Sequence, residues 1–164
     1  MKTLFKIALL AQLVIGVSTI PCKAANEADA ELRQAATELA QQYDARYASR
    51  DSAGMAGLYA ADGRLVSPEG PTLHGRVALT AYYSKRFASG FRGYVTKVLE
   101  VHAQGTGGYS ISEFAVSTPI TNGQTHQVHG TVVSIYQHDT DGLHFSLVVH
   151  SVLGIRRGDM VGQM

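Results

Sequence analysis

The apolar positions of the first half of the chain recur at the spacing of a helix. Asn26, with Asp29 three residues later, has the pattern of an N-cap with a capping-box partner. Beyond it, apolar residues fall every three or four positions, namely Leu32, Ala36, Leu39, Tyr43 and Tyr47. This stripe predicts one long amphipathic helix that ends at about Ala48.

Two shorter helices are predicted after this one. Asp51 or Ser52 is the expected cap of the first, which would carry Met55, Leu58 and Tyr59 on one side and stop at Gly63. An extended stretch over 64–67 follows, because Pro68 disfavours helical geometry in its predecessor. The next helix is predicted from 75 to about 88.

From residue 91 onward the period changes from helical spacing to alternation. Strands are predicted over 94–103, 109–118, 127–137 and 143–153, with a hairpin turn signal at Asn122-Gly123. Helices first and strands second predict an α+β domain. We expect three N-terminal helices packed in a cone against a curved antiparallel sheet of four or more strands. The domain would cover 27–155, with a flexible tail over 156–164.

The extreme N-terminus has a third pattern, a positive head followed by an apolar run. Lys2 and Lys6 precede the run at 7–17, and Cys22-Lys23-Ala24 ends it with small residues at the positions that a signal peptidase reads. A spanning helix needs about 20 apolar residues, more than this run provides. We therefore predict a signal peptide over 1–24, with a lipid anchor on Cys22 as the alternative. The expected location is periplasmic or secreted, without membrane association after signal removal.

Charge and cysteine content narrow the choice of partners. The chain has 14 basic and 13 acidic residues, seven histidines and one cysteine. Loss of the signal removes three lysines and the cysteine, which leaves 11 basic against 13 acidic residues and no disulfide. We predict no nucleic-acid partner, because proteins that bind nucleic acids concentrate basic residues on one face and this sequence has no such basic patch.

The histidines predict neither a metal site nor a cofactor. His126 and His129 point to opposite faces of a strand, while His144 and His150 lie about 20 Å apart along theirs. With the last turn centred near Thr140, Val133 faces Leu147 and Ile135 faces Phe145. This apolar face is expected against the helices, with His129 at its far end. The opposite, outer face would carry Val132, Ser134, Tyr136, His144, Ser146, Val148 and His150.

The tyrosines allow two interpretations. Tyr43, Tyr59, Tyr82 and Tyr83 all fall on predicted helices, where they either pack into the core or bring their hydroxyls together around a ligand.

Three stretches carry a resemblance to a known family: "YASRDSAGMAGLYAADGRLVSPEG", "LHGRVALTAYY" and "LHFSLVVHSVLG". From about Glu31 to Ile155 the chain resembles the nuclear-transport-factor-2-like superfamily, within it the ketosteroid-isomerase and SnoaL-like branch of unassigned function. The resemblance implies a cone-shaped pocket and frequently a dimer through the outer face of the sheet.

The same resemblance bears on catalysis. Ketosteroid isomerases use a carboxylate base, a tyrosine and a protonated acid. Tyr43 matches the tyrosine that holds the oxyanion, and Tyr83 matches a supporting tyrosine. Ser67 occupies the position of the base, and no carboxyl group stands near 131–133 for the second acid. Steroid isomerisation is therefore not expected.

Three functions remain open from the sequence. The first is binding of a small, mostly apolar ligand in the cone, oriented by a ligand-binding set of Tyr43, Tyr59, Ser67, Tyr83 and His129. The second is an isomerase or cyclase in which Glu69 or His129 is the base and Tyr43 the oxyanion donor. The third is a dimeric interaction module that acts through the outer sheet face.

Overall fold

The structure is a computed structural model and describes residues 21–120 and 124–155. Residues 1–20 of the predicted signal peptide lie outside the described residues. The predicted turn at Asn122-Gly123 and the tail from 156 lie outside them as well. Within the described residues, no helix combines the length and the apolar character needed to cross a membrane.

The long first helix, α1, spans Pro21–Ala48. Its end agrees with the prediction, but the expected start at Asn26 is wrong, because the helix already runs through that residue. Asp29 is not a capping partner; its Oδ1 accepts a hydrogen bond from the Ala103 backbone N–H at 2.6 Å. Further along α1, Asp44 accepts from the backbone N–H and the hydroxyl of Thr96 at 2.9 and 2.8 Å. These carboxylates tie α1 to a strand of the sheet.

The second helix, α2, is shorter than predicted and spans Ser52–Gly57. Asp51 is its N-cap and accepts from the Gly54 N–H at 2.8 Å. Tyr59 and Gly63, predicted as part of this helix and as its stop, instead lie in strand β1, Tyr59–Val66. A Cβ on Gly63 would come within 2.9 Å of the Phe145 carbonyl oxygen, so glycine permits close approach of another strand here. Helix α3 spans Gly75–Ala88, as predicted.

Six strands form one curved sheet in the order β2-β1-β6-β5-β4-β3. The remaining strands are β2 (Leu73–His74), β3 (Arg92–Gln104), β4 (Gly107–Pro119), β5 (Thr125–Asp139) and β6 (Gly142–Ile155). Neighbours pair antiparallel except β1 and β6, which pair parallel. The predicted α+β class, with three helices packed against a curved, mostly antiparallel sheet, is confirmed, although β1 and β2 precede α3 along the chain.

The core lies between the helices and the concave face of the sheet, and aromatic side chains fill most of it. The helices and β1 contribute Tyr43, Tyr47, Tyr59, Tyr83 and Phe87, and the long strands contribute Tyr94, Phe114, Tyr136 and Phe145. Many of these rings contact one another edge-on or tilted, with centroids 4.9–6.3 Å apart. Such contacts stabilise a core beyond the area that they bury.

The predicted faces of β5, and of β6 from Leu147 onward, are inverted, whereas Phe145 faces the core as predicted. Val132, Ser134 and Tyr136 are buried on β5, whereas Ile135 is 41% exposed. Ile135 lies opposite Leu147, and Phe145 lies opposite Tyr136, because a bulge at this point adds a residue to β6. The inner face is built from aromatic rings and small hydroxyl residues, so the more aliphatic set faces outward. His150, predicted outward, faces the cone, and His129, predicted inward, does not.

Candidate functional site

Three buried tyrosines form a chain of hydroxyl groups inside the cone. The Tyr83 hydroxyl on α3 lies 3.1 Å from the Tyr43 hydroxyl on α1 and 3.0 Å from the Tyr59 hydroxyl on β1. Burial raises the pKa of each of the three well above its ordinary value, and the neighbouring tyrosines oppose its ionisation further. All three are therefore neutral at physiological pH and each retains one proton to donate.

The three linked hydroxyls have one more proton than their mutual hydrogen bonds require. Three hydroxyls hold three protons, and two hydrogen bonds between them use two. Tyr59 is completely buried, whereas Tyr43 lines the cavity of the cone. When Tyr59 donates to Tyr83 and Tyr83 donates to Tyr43, the Tyr43 proton is free to point into the cavity. Donation along a chain also polarises the last hydroxyl and strengthens it as a donor.

The cavity beside Tyr43 is small. It has a volume of about 30 Å³, and a second cavity of about 20 Å³ lies on the other side of a wall formed by Tyr43, Tyr94 and His150. Cavities of this size hold a few water molecules at most. The predicted cone-shaped pocket is thus largely occupied by the protein's own rings, and a larger ligand would enter only if its mouth opened.

His150 on β6 places its imidazole against this cavity. Its Nε2 lies 2.8 Å from the Tyr94 hydroxyl, and its ring packs edge-on against Phe114. Burial, with a smaller contribution from the charge of Arg86, lowers the pKa of His150 to about 4. The imidazole is therefore neutral at physiological pH and is a weak base.

Ser67 stands at the rim of the cavity. Its buried Oγ accepts a hydrogen bond from the Glu69 backbone N–H at 3.2 Å and one from the Tyr82 hydroxyl at 3.3 Å. Since both are accepted bonds, the Ser67 proton remains available to a ligand oxygen.

An ion pair closes the mouth of the cavity. Nη1 of Arg86 donates to the Glu69 carboxylate at 2.7 Å, and its Nε donates to the Tyr47 hydroxyl at 3.0 Å. The Arg86 side chain is 12% exposed and the Glu69 side chain 50% exposed. Burial acts to lower the pKa of Arg86, but Tyr47, Tyr82 and Glu69 outweigh it and raise the pKa, so the guanidinium stays charged.

The structure brings most of the predicted ligand-binding residues together. Tyr43, Ser67 and Tyr83 line the cavity, and Tyr59 lies behind them at the end of the hydroxyl chain. Glu69 also reaches the cavity, but its carboxylate is held by Arg86 at the exposed mouth. His129 is not among the lining residues; it pairs with Ala115 on β4, and its alternation with buried Gly130 places it on the outer face.

Sequence reasoning missed three residues of the site: Arg86, Tyr94 and His150. Arg86 follows Tyr82 by four residues and Tyr83 by three, so their spacing on a helix was a usable signal for a shared face. His150 was missed because the two faces of β6 were exchanged. Tyr94 heads a strand whose alternation is interrupted by bulges.

A metal ion could be held at the turn between β5 and β6, outside the cone. Asp139, Asp141 and His144 offer ligand atoms within 4.8 Å of one another. Asp141 and His144 are already hydrogen-bonded at 3.1 Å, a contact that lowers the pKa of Asp141.

Solved structures share this fold. A function-unknown protein from Mycobacterium tuberculosis, Rv3472(D26N), is 19% identical, covers 73% of this chain and 70% of its own, and has a TM-score of 0.64. A ketosteroid isomerase-like protein from Erwinia carotovora atroseptica is 17% identical over 79% of this chain and 98% of its own, with a TM-score of 0.66. An NTF2-like protein with a cystatin-like fold from Novosphingobium aromaticivorans is 17% identical over 84% and 92%, with a TM-score of 0.63.

The family comparison covers most of the domain. No curated protein sequence matches the chain. The family model described as the SnoaL-like domain matches residues 40–158, which include α2, α3, the whole sheet and every residue that lines the cavity. The resemblance identified from the sequence is confirmed, and the chain belongs to the SnoaL-like domain family of the nuclear-transport-factor-2-like superfamily.

Proposed function

We propose that the domain binds a small, mostly apolar molecule whose one acceptor oxygen enters the cone and receives a hydrogen bond from Tyr43. The observation that carries this proposal is the Tyr43 hydroxyl, which lines the cavity at one end of the Tyr59–Tyr83–Tyr43 series of hydrogen bonds. Ser67 supplies a second donor at the rim. The mixture of apolar walls with a few fixed polar groups is typical of small-molecule sites.

The cavity volume limits the ligand that this conformation accepts. About 30 Å³ accommodates a carbonyl or similar head group, and not a ring system. The body of the ligand would enter only when the mouth opens, and it would then contact apolar lining residues such as Val128 and Val152.

The contacts favour binding over the isomerase or cyclase alternative. Glu69 is paired with Arg86 at the mouth, His129 does not line the cavity, and His150 has a pKa of about 4. A general base works best with a pKa near the working pH and within about 3 Å of the proton that it takes. None of the three meets both requirements as placed.

A titration with 2-cyclohexenone tests the proposal, since this probe joins a small apolar ring to one carbonyl. NMR shifts should report binding in the cone, and Tyr43→Phe should weaken it about tenfold, as expected for loss of one buried hydrogen bond. Tyr59→Phe should weaken binding less, because Tyr83 can still donate to Tyr43.

The matched control is Tyr109→Phe, which keeps the ring and removes a hydroxyl from the outer face of the sheet, on the opposite side from the cone. It should leave the dissociation constant unchanged. Equal affinity of the wild type and Tyr43→Phe for the probe would reject the assignment of Tyr43.

We also propose a homodimer through the outer face of the sheet. This face presents Tyr109, Ile111, Val133, Ile135, Leu147 and Val149, in directly opposed pairs across β4, β5 and β6. Tyr109 and Ile135 are exposed and the other four are half-buried, and contiguous apolar surface of this kind marks interaction sites. The interface differs from the one expected from the sequence, because His150 faces the cone instead.

Export to the periplasm or medium is a further part of the proposal. Cleavage after Ala24 would remove only the first residues of α1 and would leave Leu32, the first buried residue of its stripe, in place. Intact mass measurement of the protein recovered from its own cells tests this, with Ala25 expected as the first residue. A mass that includes residues 1–24 would reject the cleavage.

A further inference from the structure

A groove on the outside of the cone is larger than the cavity inside it. The groove lies between α3 and the segment 67–73 and has a volume of about 530 Å³. Pockets for small organic ligands are typically about 300–1,000 Å³. Ser67, Glu69, Tyr82 and Arg86 line both spaces, but Tyr43 lines only the cavity.

Most of the groove surface is apolar. Pro71 and Leu73 form one side, Ala78 and Ala81 of α3 form the other, and Phe91 closes the groove near Arg86. The short alanine side chains leave space against the helix, and Leu73 and Phe91 are only partly covered by the core. A chain or ring of a few carbon atoms could be buried here without displacing a residue.

One end of the groove carries excess positive charge. Lys85 and Arg86 line it together with a single carboxylate, that of Glu69. Within 21–120 and 124–155, no ion pair involves Lys85. Nη1 of Arg86 donates to Glu69 and Tyr82, and its Nε donates to Tyr47. Its other terminal nitrogen, Nη2, forms no hydrogen bond with the part of the chain that the structure describes.

The Arg86 guanidinium is held in a fixed orientation that suits binding of a carboxylate. Its guanidinium lies over the Phe91 ring at 3.8 Å, and the two tyrosine hydroxyls fix its other nitrogens. A buried, oriented guanidinium loses little freedom when it binds a carboxylate. The Glu69 contact at 2.7 Å shows that a carboxylate fits against it.

We propose that this groove is a binding site for an amphipathic carboxylate. Its apolar body lies on Leu73, Ala81 and Phe91, and its carboxylate binds Nη2 of Arg86 with Lys85 as the second cation. Glu69 competes with the ligand for Arg86. The site is separate from the donor at Tyr43, so either assignment can fail without the other.

Titration calorimetry with octanoate and its neutral counterpart octanamide tests the charge requirement. Octanoate should bind one-to-one, and octanamide at least about tenfold more weakly. Glu69→Gln should tighten octanoate binding several-fold by removing the competing carboxylate. Lys85→Gln should weaken it, and Ala81→Phe should weaken it strongly by filling the groove. Arg86 itself is left unchanged, because its loss would also release Tyr47 and Tyr82.

Two controls locate the binding. Lys97→Gln removes an exposed lysine from β3, and Tyr43→Phe removes the donor of the cone. Neither should change the affinity for octanoate. Equal binding of octanoate and octanamide, an unchanged affinity in Ala81→Phe, or absence of saturable octanoate binding in both the wild type and Glu69→Gln would overturn the proposal.

Discussion

The hydroxyls of Tyr43, Tyr59 and Tyr83 satisfy one another, and each depends on the geometry of the other two. Tyr83 is the central member, because it contacts both neighbours. An unsatisfied buried hydroxyl costs about 1–3 kcal/mol. The loss in free energy of unfolding should therefore depend on which of the three hydroxyls is removed.

Tyr83→Phe should destabilise the protein more than Tyr59→Phe does, although each removes one hydroxyl. The first leaves two buried hydroxyls without partners, at a cost of about 2–6 kcal/mol, and the second leaves the Tyr43–Tyr83 bond intact. Urea denaturation measures both free energies of unfolding. Equal losses in the two variants would contradict a central role for Tyr83, and Tyr109→Phe should stay within about 0.5 kcal/mol of the wild type.

His150 should make stability depend on pH. Its folded pKa of about 4 lies below the unfolded value of about 6.5, so below pH 6.5 the unfolded chain binds the proton first. The stabilisation is complete above pH 6.5 and falls as the pH decreases toward 4. At pH 5 the free energy of unfolding should be about 2 kcal/mol lower than above pH 6.5.

The measurement is the free energy of unfolding at pH 7.5 and pH 5. His150→Gln removes the titrating group and should flatten this part of the profile. The same pH dependence in the variant and the wild type would assign the effect to other groups.

Side chains at the site differ in how readily the sequence predicts them. Tyr43 and Tyr83 follow from helical spacing and the resemblance, and both line the cavity. His129 and His150 exchanged roles, because the face of a strand depends on its register, and one bulge residue reverses it. The spacing of residues along one strand does not reveal a bulge in its pairing with the next strand, such as the one between β5 and β6.

At the scale of elements, α2 is short enough to depend on its cap. Asp51 accepts from the Gly54 N–H at 2.8 Å and pairs with Arg46 of α1 at 3.3 Å. Asp51→Ala should cost about 1 kcal/mol, mostly from the lost cap, since the ion pair is largely exposed.

Thermal unfolding compared with Asp62→Ala measures this cost. Asp62 is an exposed aspartate of β1, so its loss should leave the melting temperature almost unchanged. A melting temperature of Asp51→Ala equal to that of Asp62→Ala would show that α2 does not need its cap.

Element identity was more predictable than element orientation. The ends of α1 and α3 and the four long strands follow from periodicity and turn residues. The start of α1 and the identity of β1 do not, since Tyr59 continues a helical stripe and joins a strand only because β6 pairs with it. The faces of β5 were ambiguous because both are apolar, one with rings and the other with aliphatic side chains.

At the scale of the whole molecule, the apolar outer face of the sheet predicts a homodimer. Ile135→Asp places a charge at the centre of the proposed interface and should convert a dimer into a monomer. Val77→Asp is the control, because Val77 is also exposed but lies on α3, away from the sheet. Light scattering after size-exclusion chromatography gives both masses. A wild-type monomer, or a dimer that survives Ile135→Asp, would exclude this interface.

The parallel pairing of β1 with β6 has a consequence for how the chain folds. All three helices leave the ribosome before the long strands that cover them, and Tyr59 meets Phe145 only when β6 has been made. Pairings so distant in sequence form slowly, because a long loop must close first. The rings of α1 and α3 are thus not fully covered until β6 has been made. A fragment that ends before Gly142 is expected to stay unfolded, and the complete chain to fold in one late, cooperative step.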